Sequence, residues 1–206
     1  MKKFVQHSGI VMPMLSDDID TDQIIPSREM KKVSKLGLGE GLFSGQRYLY
    51  EGNEKKGLNP DFVLNQTPFD KASILLSCKN FGCGSSREHA VWALVEYGFR
   101  VIIAESFGTI FRNNCIRNGL LPIILTATQI SFIAQQVKAD DVSLKVDLQK
   151  RQITCVKGEY FDFKLDDYSQ KMLLNGWDFI DLTFKYSRQI KHFKDQDILL
   201  RPWAYL

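Results

Sequence analysis

Cysteine is scarce in this chain: 206 residues carry Cys78, Cys83, Cys115 and Cys155, in no repeated spacing. That excludes a disulfide-stapled fold and suits a reducing compartment, so a cytoplasmic location is expected. Long apolar runs are missing as well. Nowhere do about 18 apolar residues follow one another, so no membrane-spanning helix is expected. Near the start, Gln6, His7 and Pro13 interrupt any signal-peptide core, and no cleavable address is visible. Nor is there a surplus of one charge. The 27 Lys and Arg against 24 Asp and Glu leave +3, too little for the basic field that a phosphate backbone requires, and no nucleic-acid partner is expected. Internal repeats and low-complexity tracts are absent.

What remains is ordinary globular chemistry, 44% hydrophobic and 25% charged, with 12% aromatics to anchor a core. The length suits a single domain over 1–206. Residues 73–78 form a short apolar run, and a glycine loop then leads into residues 85–97. There Ala90, Ala93, Leu94 and Tyr97 recur at helical spacing, Ser85 with Glu88 makes a capping-box pattern, and Gly98 is placed to end the helix. A second apolar strand at 100–104, a helix over 108–118 closed by Gly119 and a third strand at 120–125 complete a β-α-β-α-β series. Such a series predicts an α/β fold whose sheet is partly parallel and covered by helices on both faces.

Beyond it, 127–137 reads as a helix, and 142–148, 152–156 and 160–165 alternate like antiparallel strands. A helical extension over about 166–206 follows, with helices at 166–175, ended by Gly176, and 177–193. Residues 27–67 differ. Lys31, Lys32, Gly37, Gly39, Gly41, Gly45, Gly52, Gly57 and Pro60 suggest a long mobile loop of the kind that serves a function.

Ligands in such sheets sit beyond the carboxyl ends of the strands, where the loop after residue 78 would lie. Gly82-Cys-Gly-Ser-Ser-Arg-Glu-His89 places small residues, two hydroxyls and a guanidinium at what reads as a helix mouth. Backbone N–H groups at Gly84, the helix dipole and a bidentate Arg87 make that an anion site. A dinucleotide fingerprint would need a third glycine, and a phosphate loop would need Gly-Lys-Ser or Gly-Lys-Thr; neither is present, so a small carboxylate fits better. The purely structural alternative is that Ser85 caps the helix and Arg87 is solvated.

Asp18, Asp20, Asp22 and Glu29 fall at calcium-loop spacings, but Gln23 stands where the sharp turn needs glycine, so turn and cap roles around Thr21 and Asp22 are expected instead. Cys78 and Cys83 open like an iron–sulfur pattern that nothing completes, and this chain is not expected to hold a cluster or any other metal. Cys83 can line the loop, Cys115 and Cys155 read as buried thiols, and His89 is as able to bond locally as to catalyse.

Taken together, Asp20-Thr-Asp-Gln-Ile-Ile-Pro26, Asn80-Phe-Gly-Cys-Gly-Ser-Ser-Arg-Glu-His-Ala90 and Ser106-Phe-Gly-Thr-Ile-Phe-Arg-Asn-Asn-Cys-Ile-Arg-Asn-Gly-Leu-Leu-Pro122 resemble the swivelling domain of the aconitase superfamily. The opening residues 4–11, the stretch 59–65 and residues 172–183 extend the resemblance, over nearly the whole chain, to the bacterial 3-isopropylmalate dehydratase small-subunit family. The resemblance implies a three-layer swivelling β/β/α domain and a separate large subunit carrying a [4Fe–4S] cluster, with none bound here. It also implies a dicarboxylate substrate, 2-isopropylmalate, dehydrated and rehydrated on the way to leucine.

By the same resemblance Ser85 is the alkoxide-like base, Ser86 a neighbouring donor, and Arg87 the grip on a substrate carboxylate. Asp22 and Thr21 match an early site motif. The segment 27–67 would close over the substrate, with Leu38, Leu42 and Phe43 as isopropyl contacts and Arg28 or Arg47 meeting the second carboxylate. Two alternatives stay open. One is the small subunit of a related hydro-lyase acting on homoaconitate or a methyl-substituted malate; the other is a non-catalytic phosphate or nucleotide sensor.

Overall fold

Apolar runs and alternating segments sort into the two halves of one sheet. In a computed structural model, which describes residues 1–30, 36–52, 54–138 and 143–205, the strands are β1 (Gln6–Met14), β2 (Tyr48–Glu51), β3 (Glu54–Leu58), β4 (Ile74–Ser77), β5 (Val101–Ala104), β6 (Leu121–Ile124), β7 (Ser143–Asp147), β8 (Gln152–Cys155) and β9 (Tyr160–Asp162). The main sheet has the order β6-β5-β4-β1-β7-β8-β9. Its first four strands are parallel, with Val11, Ile74, Val101 and Leu121 in one register row. From β1 onward the pairing is antiparallel. The expected α/β class with a partly parallel sheet is therefore what the chain adopts.

β4 and β5 are buried at every position because both faces are covered. Ile74 and Leu76 face one core with α5 (Ala127–Lys138) and α6 (Asp167–Asn175); Leu75 and Ile102 face the other, with α3 (His89–Tyr97) and α4 (Thr109–Arg117). Each such fully buried aliphatic side chain contributes roughly 1.5–3 kcal/mol relative to exposure. Gly176 ends α6 in the left-handed conformation expected of it.

Several expectations need correction. The helix predicted from Ser85 begins only at His89, preceded by Glu88 with no side-chain cap bond. Positive φ at Gly82 and Gly84 swings the chain away from helical geometry, so residues 85–87 run as an irregular loop. The helix expected over 177–193 is two helices, α7 (Phe179–Phe184) and α8 (Ser187–Leu200). In the segment 27–67, Leu38, Leu42, Phe43 and Leu64 are buried among Ile24, Ile25 and Leu94, so much of it is packed structure, including the short α2 (Ser44–Arg47) and the β2–β3 hairpin. Lys31, Lys32 and Val142 lie outside the described residues.

Candidate active site

Parallel pairing puts the carboxyl ends of β1, β4, β5 and β6 on one edge, and the loops leaving them are laced together. Asp18 N–H donates to the Lys79 carbonyl at 2.9 Å, Gly82 N–H to Ile19 at 2.7 Å, and Thr21 N–H to Cys83 at 2.9 Å. On the other side Phe81 N–H donates to the Ser106 carbonyl at 3.0 Å and Gly108 N–H to Phe81 at 2.9 Å. The acidic run serves these turns. Asp17 accepts from Lys79 N–H at 2.9 Å, Asp18 from the Asn80 side chain at 2.7 Å, and Asp20 caps α1 (Thr21–Ile24) through Gln23 N–H at 2.7 Å. One oxygen of each carboxylate thus serves the local turns and the cap of α1.

Gly82 is where the loop touches the core. Its φ is +73°, and a Cβ there would sit 2.2 Å from the Phe111 ring. Gly82→Ala combines left-handed strain with overpacking against a buried ring, so it is expected to lower unfolding stability by about 2–4 kcal/mol. Urea denaturation of the isolated chain checks this; an unchanged midpoint would mean that Phe111 yields freely.

The polar constellation rests on Thr21, which is 4% exposed. Its Oγ1 accepts the Ser85 N–H at 2.9 Å. The Ser85 hydroxyl oxygen accepts from Arg87 Nε at 2.9 Å, with the Arg87 backbone N–H at 3.5 Å. Arg87 Nη2 lies 3.4 Å from Asp22 Oδ1, and both side chains are solvent-exposed. Gly84 is exposed at φ +92°, where a Cβ would press on Thr21 Oγ1. Ser86 is exposed, and its carbonyl accepts from Asn114 Nδ2 at 3.3 Å. Thr21, Asp22, Gly84, Ser85 and Arg87 are thus brought together, with Ser86 beside them. Ile25, Met30 and Ala90 close a tight cleft next to Thr21 and Arg87; no spacing in the sequence singles them out.

Because α3 starts at His89, Ser85 does not cap it, and its oxygen faces Arg87 instead of the Glu88 N–H. The positive field on that oxygen therefore comes from the guanidinium rather than from a helix mouth. Other expected contacts fall elsewhere. Leu38, Leu42 and Phe43 are 2%, 0% and 0% exposed, so as core residues they cannot form an open wall for substrate. Arg28 stacks over Tyr50 and pairs with Glu29, while Arg47 lies over Tyr48 and Tyr97 and donates to the Gly39 carbonyl.

Burial raises the thiol pKa of Cys83, helped by Asp18 and Asp20, and that of Cys78, helped by Asp17 and Glu105. Both thiols stay protonated at neutral pH and are poor nucleophiles. Cys115 and Cys155 are buried. Among the described residues the group with metal-ligand proximity is Asp17, Cys78 and Glu105, which holds a single cysteine, so these thiols do not fit a [4Fe–4S] cluster. His89 packs against Trp92, ring centroids 4.8 Å apart.

Thr21 holds the Ser85 backbone through the 2.9 Å bond from its N–H. Thr21→Val keeps the shape and removes the acceptor; it is expected to cost about 1–2 kcal/mol of stability and to lower kcat roughly tenfold through misplacement of Ser85. Steady-state kinetics beside thermal unfolding would separate the two effects, and unchanged kcat would deny Thr21 a positioning role.

Known proteins share this arrangement of elements. The aconitase C-terminal domain family matches residues 1–128. A 3-isopropylmalate dehydratase small subunit of Cupriavidus necator is 48% identical over 100% of this chain and 99% of that protein. The one from Bordetella avium is 46% identical over 98% and 97%. A solved structure of 3-isopropylmalate dehydratase from Methanocaldococcus jannaschii superposes with a TM-score of 0.63 at 24% identity, covering 93% of this chain and 99% of that one. No helix among the described residues is long and apolar enough to cross a membrane.

Proposed function

Because the chain belongs to the 3-isopropylmalate dehydratase small-subunit family, within the aconitase superfamily, we propose that it completes the active site that isomerises 2-isopropylmalate to 3-isopropylmalate. The observation that carries this reading at the level of chemistry is the Ser85–Arg87 pair, 2.9 Å apart on an exposed loop braced by buried Thr21. Lewis-acid chemistry in this reading belongs to a [4Fe–4S] cluster on a separate large subunit, which accords with the dispersed thiols of this chain.

What this chain contributes is proton handling and orientation. A serine hydroxyl is a weak base, so its anion must be stabilised; the Arg87 Nε–H and backbone N–H both point at Ser85 Oγ. Ser85 Oγ takes a proton from one substrate carbon, the C–H pair becomes a double bond, and hydroxide leaves the adjacent carbon to give isopropylmaleate. Rehydration reverses the exchange with the roles of the two carbons interchanged.

The outer edge of the Arg87 guanidinium, half-exposed beside Asp22, binds a substrate carboxylate with two parallel hydrogen bonds. Asp22 restrains that guanidinium until substrate arrives, and Ser86 adds a hydroxyl donor at the mouth. Neither half works alone. Mixing this chain with a cluster-loaded large subunit and 2-isopropylmalate is expected to give 3-isopropylmalate, with no turnover from either chain by itself. A tightly bound but inactive pair would overturn the reading; faster turnover of homoaconitate or a methyl-substituted malate would reassign the substrate.

A further inference from the structure

Thr21 is one of two supports under the loop that carries Ser85. Residues 85–87 lie outside regular structure, so side chains supply partners that a helix or strand would give their backbone. The second support is α4. Phe111 lies against Gly82, and three residues on, along the same helix face, Asn114 donates from Nδ2 to the Ser86 carbonyl at 3.3 Å. Asn114 is 5% exposed. Its own place is fixed by Asn118, whose Nδ2 donates to the Asn114 carbonyl at 2.8 Å and to Glu88 Oε1 at 3.4 Å, while Asn118 Oδ1 accepts from Trp92 Nε1 at 3.0 Å. These bonds tie α4 to the start of α3.

The carbonyl that Asn114 grips belongs to the same planar peptide as the Arg87 N–H. In a trans peptide the two point in opposite directions, so a donor fixed on the Ser86 oxygen aims the Arg87 N–H, which lies 3.5 Å from Ser85 Oγ. A hydrogen bond accepted at the carbonyl also polarises the peptide and strengthens its N–H as a donor. That N–H stands at the edge of hydrogen-bond reach, where aim decides how much it contributes.

We propose that Asn114 is a positioning residue for the reaction: through the Ser86–Arg87 peptide it aims the backbone N–H that stabilises the anion of Ser85. The inference rests on the function proposed above. The Arg87 guanidinium is bonded elsewhere, to Ser85 Oγ and Asp22, so loss of the Asn114 amide leaves those bonds, and with them the grip on a substrate carboxylate, in place.

The test is steady-state kinetics of the assembled pair with 2-isopropylmalate, each variant counted by its folded, paired fraction. Asn114→Leu keeps the size and removes the donor. Its kcat is expected to fall about 30-fold, less than the roughly 10²–10³-fold for outright loss of such a donor, with KM within about twofold of wild type. Asn114→Asp sets a carboxylate against the Ser86 carbonyl, and a fall of about 100-fold is expected. The decisive readout is the Ser85→Ala background. Without the hydroxyl there is no anion for the N–H to meet, so adding Asn114→Leu is expected to change the residual rate by less than about twofold. Wild-type kcat in Asn114→Leu, a rise confined to KM, or a full loss multiplied onto that of Ser85→Ala overturns the inference and leaves the Ser85 reading standing. Where Asn114 tolerates no substitution, Asn118→Ala, which frees the Asn114 carbonyl, is expected to lower kcat about fivefold and to be silent in the Ser85→Ala background; unchanged kcat there overturns the inference in the same way. An inactive wild-type pair overturns the proposed function itself, and the inference with it.

Discussion

Ser85→Ala in the assembled enzyme is expected to lower kcat by about a thousandfold, within the range for loss of a general base, while folding and pairing stay as they are. The separation follows from where the bonds lie. Ser85 is tied to Thr21 through its backbone N–H, which alanine retains, and its hydroxyl oxygen caps no helix. Alanine removes the hydrogen bond from Arg87 Nε, which belongs to an exposed side chain, so the midpoint of thermal unfolding should hardly move. Steady-state kinetics with 2-isopropylmalate, beside an unfolding curve and a pairing titration, checks this. Loss of pairing or stability with residual activity would show that the hydroxyl is structural.

Under the proposed function Arg87→Lys removes two roles at once, and its expected effect on kcat/KM is a fall of about a thousandfold. An ammonium group cannot hold Ser85 Oγ through one nitrogen while offering a planar pair to a carboxylate. KM should rise as the grip on the carboxylate weakens, and kcat should fall as the anion on Ser85 is deprived of its nearest positive charge. Stability is expected to stay constant, since the Asp22 contact is 3.4 Å long and solvent-exposed and pairs of that kind contribute little. Wild-type kinetics in the lysine variant would remove Arg87 from the site.

Local patterns carried the middle of the chain well. The apolar runs of β4 and β5 read as buried strands because both faces of a parallel sheet are covered, and Gly98 and Gly176 marked helix ends where they occur. β1 was not legible. Ser8, Gly9 and Pro13 break its alternation, and its place at the centre comes from partners over 60 residues away in β4 and over 130 away in β7. The capping box at Ser85 and Glu88 misled because the same residues also satisfy a loop that two positive-φ glycines turn out of helical geometry. Leu38, Leu42 and Phe43, which the family resemblance implies as isopropyl contacts, are core residues instead, because burial beside Ile24 and Leu94 outweighs the flexibility of the glycines around them.

Residue order alone put Gly84, Ser85, Ser86 and Arg87 side by side and required a covered, partly parallel sheet, since neither feature needs more than adjacent residues and apolar runs. It could not bring Thr21 and Asp22 to them across 64 and 65 residues. That juxtaposition exists because β1 and β4 pair in parallel, so that their carboxyl ends open on one edge. Backbone hydrogen bonding between distant strands, and not any local preference, makes the chemistry converge.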